Sequence, residues 1–155
     1  MSVDVTVPGR DPLRLHHLLL DANGTLTLRG GLLPGVAERL AALAGSLEIR
    51  LLTADTFGTL DDVRRELGGP HAERVTTGAD KAAVASRLGP ASCAAIGNGA
   101  NDTAMLTVAA LGIAILGPEG ASPRTLLAAD VACRSITEAL DLLLDPRLLA
   151  ATLRT

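Results

Sequence analysis

Four short stretches of this 155-residue chain carry side chains able to do chemistry together. Asp21-Ala22-Asn23-Gly24-Thr25-Leu26-Thr27 joins a carboxylate to a tight glycine turn and two hydroxyls. Thr53-Ala54-Asp55 offers a hydroxyl and a second carboxylate. Lys81 is the sole lysine among 14 basic residues. Gly97-Asn98-Gly99-Ala100-Asn101-Asp102 adds amides and a further carboxylate. Such a set suits a magnesium-assisted phosphoryl site. Magnesium takes hard oxygen ligands and needs only one or two carboxylates, which Asp21 and Asp102 can supply. Phosphoryl oxygens need hydrogen-bond donors and positive charge, available from Thr53, the backbone amides after Asp21, and Lys81. A carboxylate can also attack phosphorus itself, giving an aspartyl phosphate. Gly24 lets the backbone fold tightly around the phosphate, with Thr25 capping the turn.

Taken singly, each stretch has a structural reading that is the commoner one. Asp before Asn-Gly is usually a loop, and Thr53 alone is a strand-end hydroxyl bonded to backbone. Lys81 alone is a solvated helix residue. Gly97 to Asp102 alone is a turn that caps a helix; as a dinucleotide fingerprint it fails, because Asp102 stands at the third glycine position. What raises them above background is their order and their placement along the chain.

The elements that must position them alternate between apolar runs and helical patterns. Val3, Val5 and Val7 read as an edge strand, Leu15 to Leu20 as a buried strand, and Leu26 to Leu32 as a small hairpin. A helix follows from Pro34-Gly35 to about Gly45. Strands are expected at Ile49–Thr53, Arg74–Thr76, Cys93–Ile96 and Gly112–Leu116. Helices are expected over Thr59–Leu67, around Lys81 to Leu88, and from about Asn101 to Ala110. The remainder reads as helical, with a capping box at Ser135 and Glu138. Alternation of this kind implies a three-layer α/β/α Rossmann-like fold with a central parallel sheet. Ligands of such sheets bind at the carboxyl ends of the strands, where all four stretches fall.

Composition narrows the function classes. The length fits a single domain, 1–155. With 48% hydrophobic and 20% charged residues the chain is an ordinary globular one. A net charge of -3 without a basic block, and one aromatic residue, Phe57, argue against nucleic acid as a partner. Two cysteines, Cys93 and Cys133, are too few for a disulfide framework. With neither a membrane-length apolar run nor a signal-peptide pattern, a soluble cytoplasmic protein is expected.

The four stretches together resemble the four motifs of the haloacid dehalogenase superfamily of phosphohydrolases and phosphotransferases. More narrowly, Asp21-x-x-Gly24-Thr25-Leu26-Thr27, Thr53-x-Asp55 and Gly97-x-Gly99-x-Asn101-Asp102 are similar to the phosphorylation domain of P-type ATPases, and to soluble proteins like it. The likeness spans Leu15 to Leu116. It implies Asp21 as the phosphorylated nucleophile, with Asn23, Thr53 and Lys81 also catalytic. A phosphate cradle of Ala22, Asn23, Gly24, Thr53, Ala54, Lys81 and Asn101 is implied around it. The same resemblance implies Mg2+ held by Asp21, the Asn23 carbonyl, Asp102 and Asn98.

Two departures bear on activity. Phosphatases of the superfamily carry a second Asp, the general acid/base, where this chain has Asn23. An amide cannot shuttle protons, and that catalysis is typically worth about 10²–10⁴-fold, so slow hydrolysis is expected. The pumps carry Asp where this chain has Asn98. No room exists for a cap domain at either usual insertion point, in the hairpin after Asp21 or ahead of Lys81. An open site with a β-hairpin flap follows, and capless relatives imply a homo-oligomer, with Leu26, Leu28, Leu32 and Leu33 either meeting the neighbour or packing the hairpin on its own domain. The substrate class is a phosphorylated compound. The alternative function is a catalytically weak or inactive binding or regulatory module of the same fold; retention of Asp21, Thr53, Lys81 and Asp102 together favours the enzyme.

Overall fold

A computed structural model describes all residues, Met1–Thr155. In chain order the elements are β1 (Val3–Val5), β2 (Leu13–Leu15), β3 (His17–Asp21), β4 (Thr27–Leu28), β5 (Gly31–Leu32), α1 (Val36–Leu43), β6 (Glu48–Thr53) and α2 (Leu60–Glu66). There follow β7 (His71–Arg74), α3 (Gly78–Leu88), β8 (Cys93–Gly97), α4 (Thr103–Val108), β9 (Leu111–Ile115), α5 (Pro123–Ala128), β10 (Val131–Cys133), α6 (Ile136–Leu144) and α7 (Pro146–Leu153).

Six strands form the central sheet in the order β10-β9-β8-β3-β6-β7, and every pairing in it is parallel. Its central strands β3, β8 and β9 are buried on both faces, so they read as continuous apolar runs. Alternation inside them still sorts the side chains. Leu18 and Leu20 of β3 join the larger core with α1, α6 and α7, whereas Leu19 joins the smaller one with α3 and α4. Each wholly buried leucine contributes about 1.5–3 kcal/mol relative to exposure. The strand that carries Asp21 is therefore fixed from both sides.

Four sequence expectations change. The run Leu15–Leu20 is two elements: β2 pairs with β1 in a separate antiparallel ribbon, and β3 enters the central sheet. His16 is the hinge, its backbone reaching Ser92 on one side and Glu48 on the other. The strand expected at Arg74–Thr76 lies earlier, as β7, because this half-exposed edge strand has no apolar alternation to mark it. The region expected to be wholly helical holds β10, three residues whose pairing with β9 outweighs their alanine-rich context. Ser135 does cap α6 by accepting from the Glu138 N–H, but the Glu138 carboxylate turns to Arg134, so the reciprocal half of the capping box is missing.

The flap is the two-residue-strand hairpin β4–β5. No cap domain interrupts the chain there or between β7 and α3. Of the four leucines open to either role, Leu26 is wholly buried, and Leu32 and Leu33 pack on the chain's own core. Only Leu28 is exposed, because the hairpin folds back onto its own domain.

Candidate active site

The carboxyl end of β3 brings Asp21 to the middle of the sheet, and the chain then turns sharply. The Ala22 carbonyl accepts from the N–H groups of Thr25, Leu26 and Thr27, and from the Thr27 hydroxyl. Gly24 sits at φ 76° in this turn, a conformation that costs a glycine little and other residues more. The turn leaves the Asn23 carbonyl out of the loop's hydrogen bonds.

Lys81 arrives from the first turn of α3. Thr77 caps that helix by accepting from the Asp80 N–H, while Asp80 accepts from the Thr77 N–H. Gly78 lies so close to the Asn101 carbonyl that a Cβ there would come within 2.7 Å of its oxygen. This contact seats α3 against the loop after β8 and delivers the ammonium between two carboxylates. Lys81 Nζ donates to Asp21 Oδ1 and to Asp102 Oδ1, each at 2.7 Å. Asp21, Lys81 and Asp102 are all buried.

Asp21 is completed by Thr25, whose hydroxyl lies 3.0 Å from Asp21 Oδ2 and 3.3 Å from Asn98 Oδ1. Burial raises the Asp21 carboxyl, and the neighbouring Asp102 charge adds to this. Lys81 and the Thr25 hydroxyl pull the other way, and the outcome is about 6 against an ordinary 3.8. Burial alone would lower the Lys81 ammonium, but the Asp21 and Asp102 charges overcome it and hold the group above its usual range. The lysine is thus a fixed positive charge beside a carboxylate that is easily protonated.

Thr53 ends β6 on the other side of Asp21. Its hydroxyl oxygen accepts from the Asp55 N–H at 3.0 Å and from Asn23 Nδ2 at 3.4 Å. The hydroxyl hydrogen is left to donate to a ligand. Asp55, at φ 55°, accepts from the Leu60 N–H at the start of α2 and pairs with Arg74, so it shapes the loop. A narrow cleft lined by Ala22, Asn23, Thr27, Thr53, Asp55 and Thr59 runs along this side.

The structure thus gathers Asp21, Asn23, Gly24, Thr53, Lys81, Asn98 and Asp102, with Ala22 and Ala54 on the connecting backbone. The Asn101 side chain is exposed and turned toward Gly99. His17 lies by Glu48 at the opposite end of β3, and the His16 ring meets the Met1 carbonyl, so neither histidine serves the site. Thr25 is more than a turn cap, since it ties Asp21 to Asn98. Nothing in the sequence marks Glu119, which follows β9 as the other clusters follow their strands; its carboxylate lies against the Gly24 backbone, where a Cβ would collide with it.

The donor set fits magnesium with one revision. Asp21, the Asn23 carbonyl and Asn98 Oδ1 are hard oxygens grouped at the strand ends. No three His, Cys, Asp or Glu side chains converge, as a zinc site would require. Asp102 was expected to be a ligand, but it is 0% exposed. Its Oδ1 holds Lys81, and its Oδ2 accepts from the N–H groups of Asn98 and Gly99 at 3.0 Å each. A carboxylate so engaged orients the lysine and the loop.

A parallel sheet with a carboxylate at the end of its central strand, a lysine from a later helix and a flap without a cap defines one class: this is the haloacid dehalogenase fold in its capless form. Among solved structures, 3-deoxy-D-manno-octulosonate 8-phosphate phosphatase from Moraxella catarrhalis, in complex with magnesium, phosphate and its sugar, aligns with a TM-score of 0.71 at 20% identity. That alignment covers 89% of this chain and 92% of the phosphatase. The cobalt-bound deoxy-D-mannose-octulosonate 8-phosphate phosphatase from Haemophilus influenzae gives 0.68 at 13% identity, over 88% and 91%. A zinc-transporting PIB-type ATPase gives 0.62 at 28% identity over 78% of this chain, which spans only 20% of the pump. By sequence, an uncharacterized protein of Methanocaldococcus jannaschii is 50% identical over 60 residues, 39% of this chain and 64% of that protein. The matched part is thus less than two thirds of that relative. No protein-family model matches the chain.

Proposed function

We propose that this protein is a Mg2+-dependent phosphohydrolase or phosphotransferase that works through an aspartyl phosphate on Asp21. The observation that carries this reading is the buried Asp21 carboxylate, 2.7 Å from the Lys81 ammonium at a strand end. When bound, magnesium supplies positive charge against the phosphoryl oxygens and the nucleophile.

An Asp21 carboxylate oxygen forms the new bond to phosphorus as the bond to the leaving oxygen breaks, its electron pair departing with that oxygen. Lys81 and the Thr53 hydroxyl are placed to stabilise charge on the equatorial oxygens. Water then attacks the phosphorus of the acyl phosphate, inorganic phosphate leaves, and the Asp21 carboxylate is restored. Transfer to another acceptor is the same second step with that acceptor in place of water.

Asn23 sets the substrate class. Its amide, which donates toward Thr53, has no proton to give a departing alkoxide and no basicity to activate water. Leaving groups that are stable as anions, such as carboxylates, phenolates and phosphates, need no such proton. Acyl phosphates, aryl phosphates and phosphoanhydrides therefore fit this site better than alkyl phosphates. The open, capless mouth leaves the substrate's remainder in solvent.

The test is phosphate release from acetyl phosphate, p-nitrophenyl phosphate, ATP and glycerol phosphate, with Mg2+ or with EDTA, beside Asp21→Asn. Magnesium-dependent release from acetyl phosphate or p-nitrophenyl phosphate, lost in the variant, supports the reading. Equal release by the variant, or none by the native protein, leaves the binding-module alternative.

A further inference from the structure

The revision at Asp102 raises a question of charge. Magnesium binds well with two carboxylates, yet in this chain one of the expected pair faces Lys81 and position 98 is an amide. The loop after β9 answers it. Gly117-Pro118-Glu119-Gly120 is a turn closed by the Gly120 N–H donating to the Gly117 carbonyl. Its ends are anchored: the Gly117 N–H donates to the Arg134 carbonyl, and the Gly120 carbonyl accepts from Asn98 Nδ2 at 2.9 Å. A Cβ on Gly117 would lie 3.3 Å from the Gly24 carbonyl oxygen, so the turn rests on the nucleophile loop.

This turn carries Glu119 over Gly24, with Asn98 Nδ2 alongside. Glu119 belongs to none of the chain's ion pairs, although the neighbouring Asp21 and Asp102 share Lys81. Asp21 and Asp102 already share that one ammonium, so Glu119 adds an unpaired negative charge beside Gly24, where a phosphoryl dianion has to bind. Such an arrangement repels its substrate unless a divalent cation lies among the carboxylates.

Resting on the metal-dependent reading above, we propose that Glu119 is the second carboxylate of the magnesium site. With Asp21, the Asn23 carbonyl and Asn98 Oδ1 it makes an all-oxygen set contributed by the loops after β3, β8 and β9. The Asn98 amide then has a stated role: one face reaches toward the cation and the other, through Nδ2, holds the turn that bears Glu119. Asp at position 98 would supply a charge but lose the donor to Gly120.

Isothermal titration of the native protein, Glu119→Gln, and Glu119→Gln combined with Asn98→Asp with MgCl2 tests this directly, with exposed Glu66→Gln as the charge control. Glu119→Gln is expected to weaken magnesium binding at least about 10-fold, while Glu66→Gln leaves it unchanged. The double variant is expected to recover part of the loss, because the charge returns one residue position away. Native-like affinity in a folded Glu119→Gln overturns the assignment and leaves the metal-dependent reading standing. No magnesium binding by the native protein overturns both.

Discussion

Replacing Asp21 with asparagine should make the protein more stable while removing its chemistry. The carboxyl stands at about 6 instead of 3.8, and about 1.4 kcal/mol per pH unit gives about 3 kcal/mol against the ionised form at neutral pH. Because the folded-state value is raised, the stability that the protonated carboxyl retains below about 3.8 is lost as pH rises through about 6. Asparagine has no ionised form and keeps the network: its Oδ1 accepts from Lys81, and its Nδ2 donates to Thr25 Oγ1. The Thr25 hydroxyl is then free to donate to Asn98 Oδ1, 3.3 Å away, and Lys81 keeps Asp102. A gain of up to about 3 kcal/mol corresponds to roughly 6–12 °C in a chain of this size. Thermal melts of both proteins in EDTA at pH 7.5 and pH 5 measure it. The expected result is a higher Tm for Asp21→Asn at pH 7.5, with the difference about halved at pH 5. A lower Tm than the native protein at pH 7.5, or a gain that grows on acidification, refutes the reasoning.

Three further outcomes follow from the same geometry. Lys81→Met leaves Asp21 and Asp102 buried without their shared cation, and should cost about 3–5 kcal/mol in urea unfolding at pH 7.5, with a smaller loss at pH 5. Asn23→Asp supplies the absent acid and base; hydrolysis of an alkyl phosphate should rise by about 10²-fold or more, and much less for acetyl phosphate, whose leaving group needs no proton. Turnover of native protein in the absence of added metal should be negligible, and restoring Mg2+ to an EDTA-treated sample should recover it.

Much of the site was legible in the sequence because its chemistry lies at strand ends. The runs around Leu18–Leu20 and Ile49–Leu52 are apolar enough to mark buried strands, and the polar residues just past them are where a parallel sheet gathers its ligands. Lys81 is visible as a lone lysine in a helical pattern, whereas the Thr77 and Asp80 cap that starts its helix emerges only in the structure. The illegible parts are those decided by tertiary pairing. β10 is three residues long and exists because β9 offers an edge, with Asp130 holding the Gly112 N–H across the gap. His16 divides β2 from β3 through backbone bonds to Ser92 and Glu48 that no local pattern encodes. Motif position alone made Asp102 look like a metal ligand; only its three hydrogen-bond partners show that it positions Lys81. Glu119 lies 98 residues from Asp21 in sequence, in a turn whose glycines signalled only a loop, and its nearness to Gly24 is a product of the folded sheet.

The central claim is covalent and can be read by mass. The native protein, incubated with acetyl phosphate and Mg2+, quenched in acid and reduced with borohydride, should yield a peptide carrying homoserine at position 21, and Asp21→Asn should yield none. Turnover of the substrate with position 21 unlabelled, or a label on any other carboxylate, would contradict the account.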